Sequence, residues 1–192
     1  MSKKKETRKQ IDNLSAYNAE SSALNVIIDT PQGSRNKYKF DEQLKIFKLG
    51  GVLPSGAVFP FNFGYVPATK GEDGGPLDVL VLMDEPAFVG CLIESRLIGV
   101  IEAEQTEEGR TERNDRLIAV AAVSRNHQNV NEISELNENL VHEIEHFFIS
   151  YNQAKGKEFK VLGRGGAKQS AALIEQGSRM FRRGLKKRST KK

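Results

Sequence analysis

The chain has 192 residues, long enough for one hydrophobic core with polar ends to spare. Its net charge is +4 overall, but residues 1–10 carry +4 and residues 182–192 carry +7, which leaves −7 for residues 11–181. A single cysteine, Cys91, excludes an intramolecular disulfide and fits a reducing, cytoplasmic compartment. No apolar run approaches the ~18 residues of a membrane-spanning helix, so no membrane association is expected. No apolar segment follows the basic N-terminus as a secretory leader would require. The organisation expected is one domain over residues 23–181 between flexible basic tails at 1–22 and 182–192. The basic runs interleave no aromatic residue except Phe181 and offer no base-stacking platform. Nucleic-acid contact is therefore expected only weakly and only through those tails.

Residues 24–30 (LNVIIDT), followed by Pro31-Gln32-Gly33-Ser34, predict a first strand and a turn. Residues 37–40 alternate basic and aromatic side chains, as a half-buried strand does, and Asp41-Glu42-Gln43 turns the chain into residues 44–47. Pro54, Gly56, Pro60 and Gly64 break the next stretch into an irregular run rich in phenylalanine. The almost continuous apolar run 77–83 predicts a buried strand, 91–103 a longer one and 116–123 a third. Polar residues 104–115 read as a hairpin loop between the last two. Short strands bounded by turn signals point to a closed or nearly closed β-barrel.

The period then changes. Ile133, Leu136, Leu140, Ile144, Phe147, Phe148 and Tyr151 recur at three- and four-residue steps, predicting an amphipathic helix with Ser134 or Asn137 as N-cap and Gly156 as its stop. A short strand at 159–162 and a second helix over 167–180 follow. The fold class is mainly β with flanking helices (α+β).

Two places carry chemistry. In Gly71-Glu72-Asp73-Gly74-Gly75-Pro76-Leu77-Asp78, two carboxylates five residues apart sit on a turn that runs into an apolar strand. Mg²⁺ is a hard cation that takes one or two carboxylates plus waters and phosphate oxygens, so the turn suits it. An ordinary surface turn is the bland alternative, because Asp and Gly are common turn residues. The second place is His142-Glu143-Ile144-Glu145-His146, which matches the H-E-x-x-H zinc-protease pattern. At about 100° per residue its two histidines fall opposite the apolar face, and no third ligand is apparent, so it reads as a polar helix face.

Several segments in order, Ile28-Asp29-Thr30-Pro31, Asn36-Lys37-Tyr38, Phe59-Pro60-Phe61-Asn62-Phe63-Gly64-Tyr65, Asp73-Gly74-Gly75-Pro76-Leu77-Asp78, Asp115-Arg116-Leu117-Ile118-Ala119-Val120 and His146-Phe147-Phe148-Ile149-Ser150-Tyr151, resemble the soluble (family I) inorganic pyrophosphatases. The resemblance covers roughly residues 24–163. It implies a small closed β-barrel of OB-like type with two helices packed outside, and a cytoplasmic homo-oligomer. It also implies Mg²⁺-dependent hydrolysis of pyrophosphate to two phosphates, with Mn²⁺ as an alternative metal.

By the same resemblance Asp73, Asp78, Asp29 and Asp115 are candidate metal ligands, and Asp78, Lys37, Arg116 and Tyr151 are candidate catalytic residues. Lys37, Lys39, Arg116 and Tyr151 are candidate phosphate-binding residues. Departures accompany the match. Gly75 stands where the family has a third signature carboxylate, Asn114 where it has a further metal carboxylate, and Gly51 where it has an arginine. Lys39 replaces a glutamate, Phe59 and Phe63 replace tyrosines, and Asn152 replaces a lysine. Lys39 could supply the charge missing at Gly51, and Asp115 or Glu72 could assist the activation of water. The alternative reading is a catalytically impaired relative that binds phosphate or polyanions.

Overall fold

Strand β1 (Leu24–Thr30) is buried at every position, as its run of apolar and β-branched residues requires of a strand covered on both faces. The computed structural model describes residues 14–189, with side chains as far as residue 186. After β1 come β2 (Asn36–Asp41), β3 (Ile46–Val52), β4 (Asn62–Val66), β5 (Leu77–Leu82), β6 (Leu92–Glu107), β7 (Arg110–Arg113) and β8 (Arg116–Ala121). A 3-10 turn at Ile133–Glu135 leads to α1 (Glu138–Gln153), then β9 (Glu158–Gly166) and α2 (Ala167–Ser189).

The strands close on themselves. The order β1-β4-β5-β8-β6 is completed by an antiparallel β6–β1 pairing that matches Leu24 with Ser95 and Ile27 with Leu92. Within this ring β5 and β8 run parallel. β6 is long enough to pair with β1 and β8 near its start and with β9 and β7 near its end. β2 and β3 form a separate hairpin. This is the mainly-β, OB-like closed ring with two helices that the sequence predicts.

Alternate residues along each strand feed two apolar clusters, as a period of two dictates. Leu80, Leu82, Ile118 and Val120 join Phe59, Phe63 and, from α1, Val141, Ile144 and Phe148. Val79, Val81, Leu117 and Ala119 join Val26, Ile28 and, from α2, Ile174. Of the two predicted N-caps Asn137 serves, its side chain accepting from Asn139 N at 2.9 Å, while Ser134 lies in the 3-10 turn.

Three stretches differ from expectation. β4 occupies part of the run read as irregular. Gly64 there is no strand breaker but a close-approach residue, since a Cβ would lie 2.0 Å from Ile27 O across the β1–β4 pair. The expected loop 104–115 is mostly strand: only Glu108 and Gly109, with φ of 50° and 78°, form a two-residue turn that suits a twisted hairpin. Its side chains are polar on both faces, so no hydrophobic alternation marks it. Residues 182–189, expected as tail, continue α2. At the other end Ala16 is buried and Tyr17 bridges Leu24, so part of the expected N-terminal tail is anchored. The rest of both tails, 1–13 and 190–192, lies outside the described residues. Among the described residues no helix is long and apolar enough to cross a membrane.

Candidate active site

The turn that carries Asp73 is held at both ends. Thr69 Oγ1 donates to Val66 O at 2.6 Å and accepts from Leu77 N at 3.0 Å, tying the close of β4 to the start of β5. Within the turn Gly71 N donates to Gly75 O at 2.7 Å and Gly75 N donates to Asp73 Oδ1 at 3.0 Å. Helix α2 presses on the outside, where Lys70 N donates to Gly177 O at 3.1 Å. Between turn and helix lies a cavity of about 290 Å³ bordered by Asp73, Asp78, Asn114 and Asp115 on one side and Gln176 and Met180 on the other. Asp73 reaches solvent at this cavity, yet desolvation and then the charge of Asp78 raise its carboxyl above the usual range, against the pull of the Gly75 N–H and Arg116.

Asp78 opens β5 and pairs with Arg116 at the start of β8, Nη1 to Oδ2 at 2.8 Å. Arg116 is 4% exposed. Its guanidinium lies 5.1 Å from the Phe148 ring, 5.3 Å from Phe159 and 6.0 Å from Phe63. Nη1 also donates to the carbonyl oxygens of Asn114 and Asp115, both at 3.2 Å, and to Asn114 Oδ1, whereas Nε is buried without a hydrogen-bond partner. The residue expected to reach for phosphate is thus drawn inward over an aromatic wall.

Asp29, on β1, is 8% exposed and accepts from Thr30 Oγ1 at 2.6 Å. Burial pushes its carboxyl up to about 6 despite the opposing charges of Lys37 and Lys39 and the Thr30 hydrogen bond, with Asp78 adding to the rise. Lys37, on β2, sets Nζ 4.9 Å from the Phe63 ring, 5.6 Å from Tyr151 and 5.7 Å from Phe59. Phe59 and Phe63, where hydroxyls were expected, form an apolar floor on which the cations rest. Lys39 is exposed, and its stem passes over Gly50, next to the position of the missing arginine.

Two expectations are redirected. Asp115 borders the cavity, where its Oδ1 accepts from Ala103 N at 3.0 Å and pairs with Arg113 at 2.8 Å. Asn152 is buried and donates to Phe148 O at 2.8 Å inside α1. Lys155, one turn further on, instead hydrogen-bonds the Tyr151 hydroxyl and lies 4.2 Å from its ring. Sequence reasoning passed over Lys155, although its i, i+4 spacing from Tyr151 was the available signal. It also passed over Gly177. His142 and His146 are exposed on the outer face of α1, and Glu145 pairs with Arg164 at 2.7 Å, so no zinc site forms there.

Among the described residues no three His, Cys, Asp or Glu side chains are grouped to hold a metal ion. Asp73 and Asp78 nevertheless match a hard cation that takes two carboxylates and completes its shell with water and phosphate oxygens. The carboxyl of Asp73 is raised first by desolvation and then by the nearby charge of Asp78. The donors therefore fit one Mg²⁺-like ion shared with a phosphate ligand, and Asp29 lies within electrostatic reach of Asp78.

Comparison with known proteins agrees with this fold. The family model described as inorganic pyrophosphatase matches residues 26–182. The chain is 35% identical over 159 residues to the inorganic pyrophosphatase of Nostoc sp., covering 83% of this chain and 92% of that one. It is 36% identical over 153 residues to that of Synechocystis sp., covering 80% and 88%. The crystal structure of inorganic pyrophosphatase from Thermus thermophilus superposes with a TM-score of 0.81 at 30% identity, covering 91% of this chain and 99% of that chain.

Proposed function

This chain belongs to the inorganic pyrophosphatase family and is an inorganic diphosphatase, and from that premise we propose that it hydrolyses pyrophosphate with Mg²⁺, or Mn²⁺ in its place, at the centre around Asp73 and Asp78. The observation that carries this reading is convergence. Lys37 from β2 and Arg116 from β8 both rest on the Phe63 ring of β4, Tyr151 of α1 touches Lys37, and Asp29 and Asp78 lie within electrostatic reach. Elements far apart in the chain thus deliver cations and carboxylates to one place.

A bound divalent ion would offset phosphate charge and lower the pKa of its water. Asp73 and Asp78 would hold that ion, with Asp29 within electrostatic reach of Asp78. Lys37 and Lys39 donate to phosphate oxygens, and the Tyr151–Lys155 pair donates from the α1 side. Arg116 holds Asp78 in place through their 2.8 Å contact, and acts on phosphate through its field rather than by contact. With Gly75 and Asn114 in place of carboxylates, turnover is slower than a fully furnished site would give.

The test is phosphate release from pyrophosphate with Mg²⁺ and with Mn²⁺, for the wild type, Asp78→Ala and Gly75→Asp. Metal-dependent turnover that disappears in Asp78→Ala is expected. No turnover in the wild type at any metal concentration, with turnover appearing in Gly75→Asp, would establish the impaired reading instead.

The same reading makes the protein a cytoplasmic homo-oligomer. In support, Leu44, Ile46, Leu49 and Val52 of the β2–β3 hairpin region are each more than half exposed, apolar surface available to a second copy. Sedimentation of a monomer at micromolar concentration would remove the oligomer.

A further inference from the structure

Counting the charges of the centre leads beyond the reaction to the order in which its ligands arrive. Asp29, Asp73 and Asp78 face Lys37, Lys39 and Arg116. Of the flanking carboxylates, Glu112 pairs with Arg110 at 2.8 Å and Asp115 with Arg113 at 2.8 Å, while Glu72 shares the cavity rim with Lys70. We propose that this centre is charge-balanced by its own side chains, with the Arg116 guanidinium standing on Asp78 as a resident cation, so that the divalent ion enters only together with pyrophosphate. This rests on the proposed function and deepens it.

Arg116 is the decisive residue. A guanidinium keeps its charge at every working pH. Here it is 4% exposed, boxed by Phe63, Phe148 and Phe159, and held by the carbonyl oxygens of Asn114 and Asp115. It has nowhere to swing. A bare Mg²⁺ approaching Asp78 meets this fixed like charge at the far carboxylate oxygen. If it displaced the contact, it would strand a buried cation whose Nε already lacks a partner. Gly75 and Asn114 supply no compensating carboxylate. Pyrophosphate reverses the balance, because its negative charges satisfy Lys37, Lys39 and the ion at once.

Manganese electron paramagnetic resonance on the full chain tests this without reference to turnover. With Mn²⁺ alone, no saturable binding is expected up to millimolar metal. With the non-hydrolysable diphosphate imidodiphosphate added, bound Mn²⁺ is expected in proportion to protein. In Arg116→Met, Mn²⁺ alone is expected to bind about tenfold tighter or better, the effect of deleting a unit charge beside the ligand. Micromolar saturable Mn²⁺ binding to the wild type alone would overturn the inference, as would a folded Arg116→Met that gains none. Should that variant not fold, the two wild-type titrations decide. If imidodiphosphate binds neither with nor without Mn²⁺, the proposed function falls and this inference with it. Tight Mn²⁺ binding to the free protein sinks the inference alone.

Discussion

Gly75 and Gly177 are two glycines of opposite meaning beside the same turn. At Gly75 the atoms nearest a Cβ would be those of the Asp73 carboxylate, its oxygens at 3.6 and 3.7 Å, which is ordinary contact. Nothing steric demands glycine there, so Gly75→Asp fits and brings a carboxylate next to Asp73. Restoring a general base is expected to raise metal-dependent turnover by about 10²–10⁴, with little change in melting temperature. A folded Gly75→Asp with unchanged kcat would show that the missing carboxylate is not what limits the rate. At Gly177, by contrast, a Cβ would lie 2.9 Å from Leu77 Cδ1 and 3.3 Å from Lys70 O, in the contact that seats α2 on the turn. Gly177→Ala is expected to cost about 1–3 kcal/mol, as overpacking does, and to lower kcat by displacing Asp73. Denaturant unfolding and phosphate release measure the two effects, and a variant with wild-type stability and kcat would mean that α2 does not position the turn.

Among the elements, the β2–β3 hairpin is the most independent, since among the described residues it pairs with no other strand. Its turn is organised by Asp41, whose carboxylate pairs with Lys48 at 2.7 Å and accepts from Gln43 N and Leu44 N. Lys48 first, then the backbone N–H groups, hold the Asp41 carboxyl down at about 2. A carboxyl depressed in the folded state stabilises it fully above the unfolded value of about 3.9. That contribution is lost as the pH falls from there toward about 2. Amide protection across residues 36–52, corrected for the intrinsic pH dependence of exchange, should therefore fall over that window, and less so in Asp41→Asn, which starts without the charge. Because Lys48 is exposed, salt should remove part of the difference. Equal protection at both ends of the window in the wild type would deny Asp41 this role. The hairpin carries Lys37 and Lys39, so its order bears directly on phosphate binding.

Across the whole molecule, strands with an uninterrupted apolar or alternating pattern were legible, because burial on the sheet faces selects residue type position by position. β1, β5 and β8 and the apolar face of α1 were readable for that reason. The β6–β7 hairpin was not, since side chains that face water on both sides leave no alternation, and β4 was masked by Gly64, whose reason lies across the sheet in Ile27. The same division holds for the centre. The order and spacing of short segments, matched as a set, singled out Asp29, Lys37, Asp73, Asp78, Arg116 and Tyr151 as candidates. Their relation to one another depends on ring closure between β1 and β6, a contact between residues about 70 apart whose consequences no local window contains. Closure and the packing of α1 and β9 turn Arg116 inward onto Phe148 and Phe159, bind Asp115 to Arg113, and bring Lys155 to Tyr151. Residue identity and spacing were enough to name the chemistry of this chain. The direction in which each charge points was decided by the neighbours that folding placed around it, because a side chain's electrostatic role is set by its partners and its burial rather than by its own type.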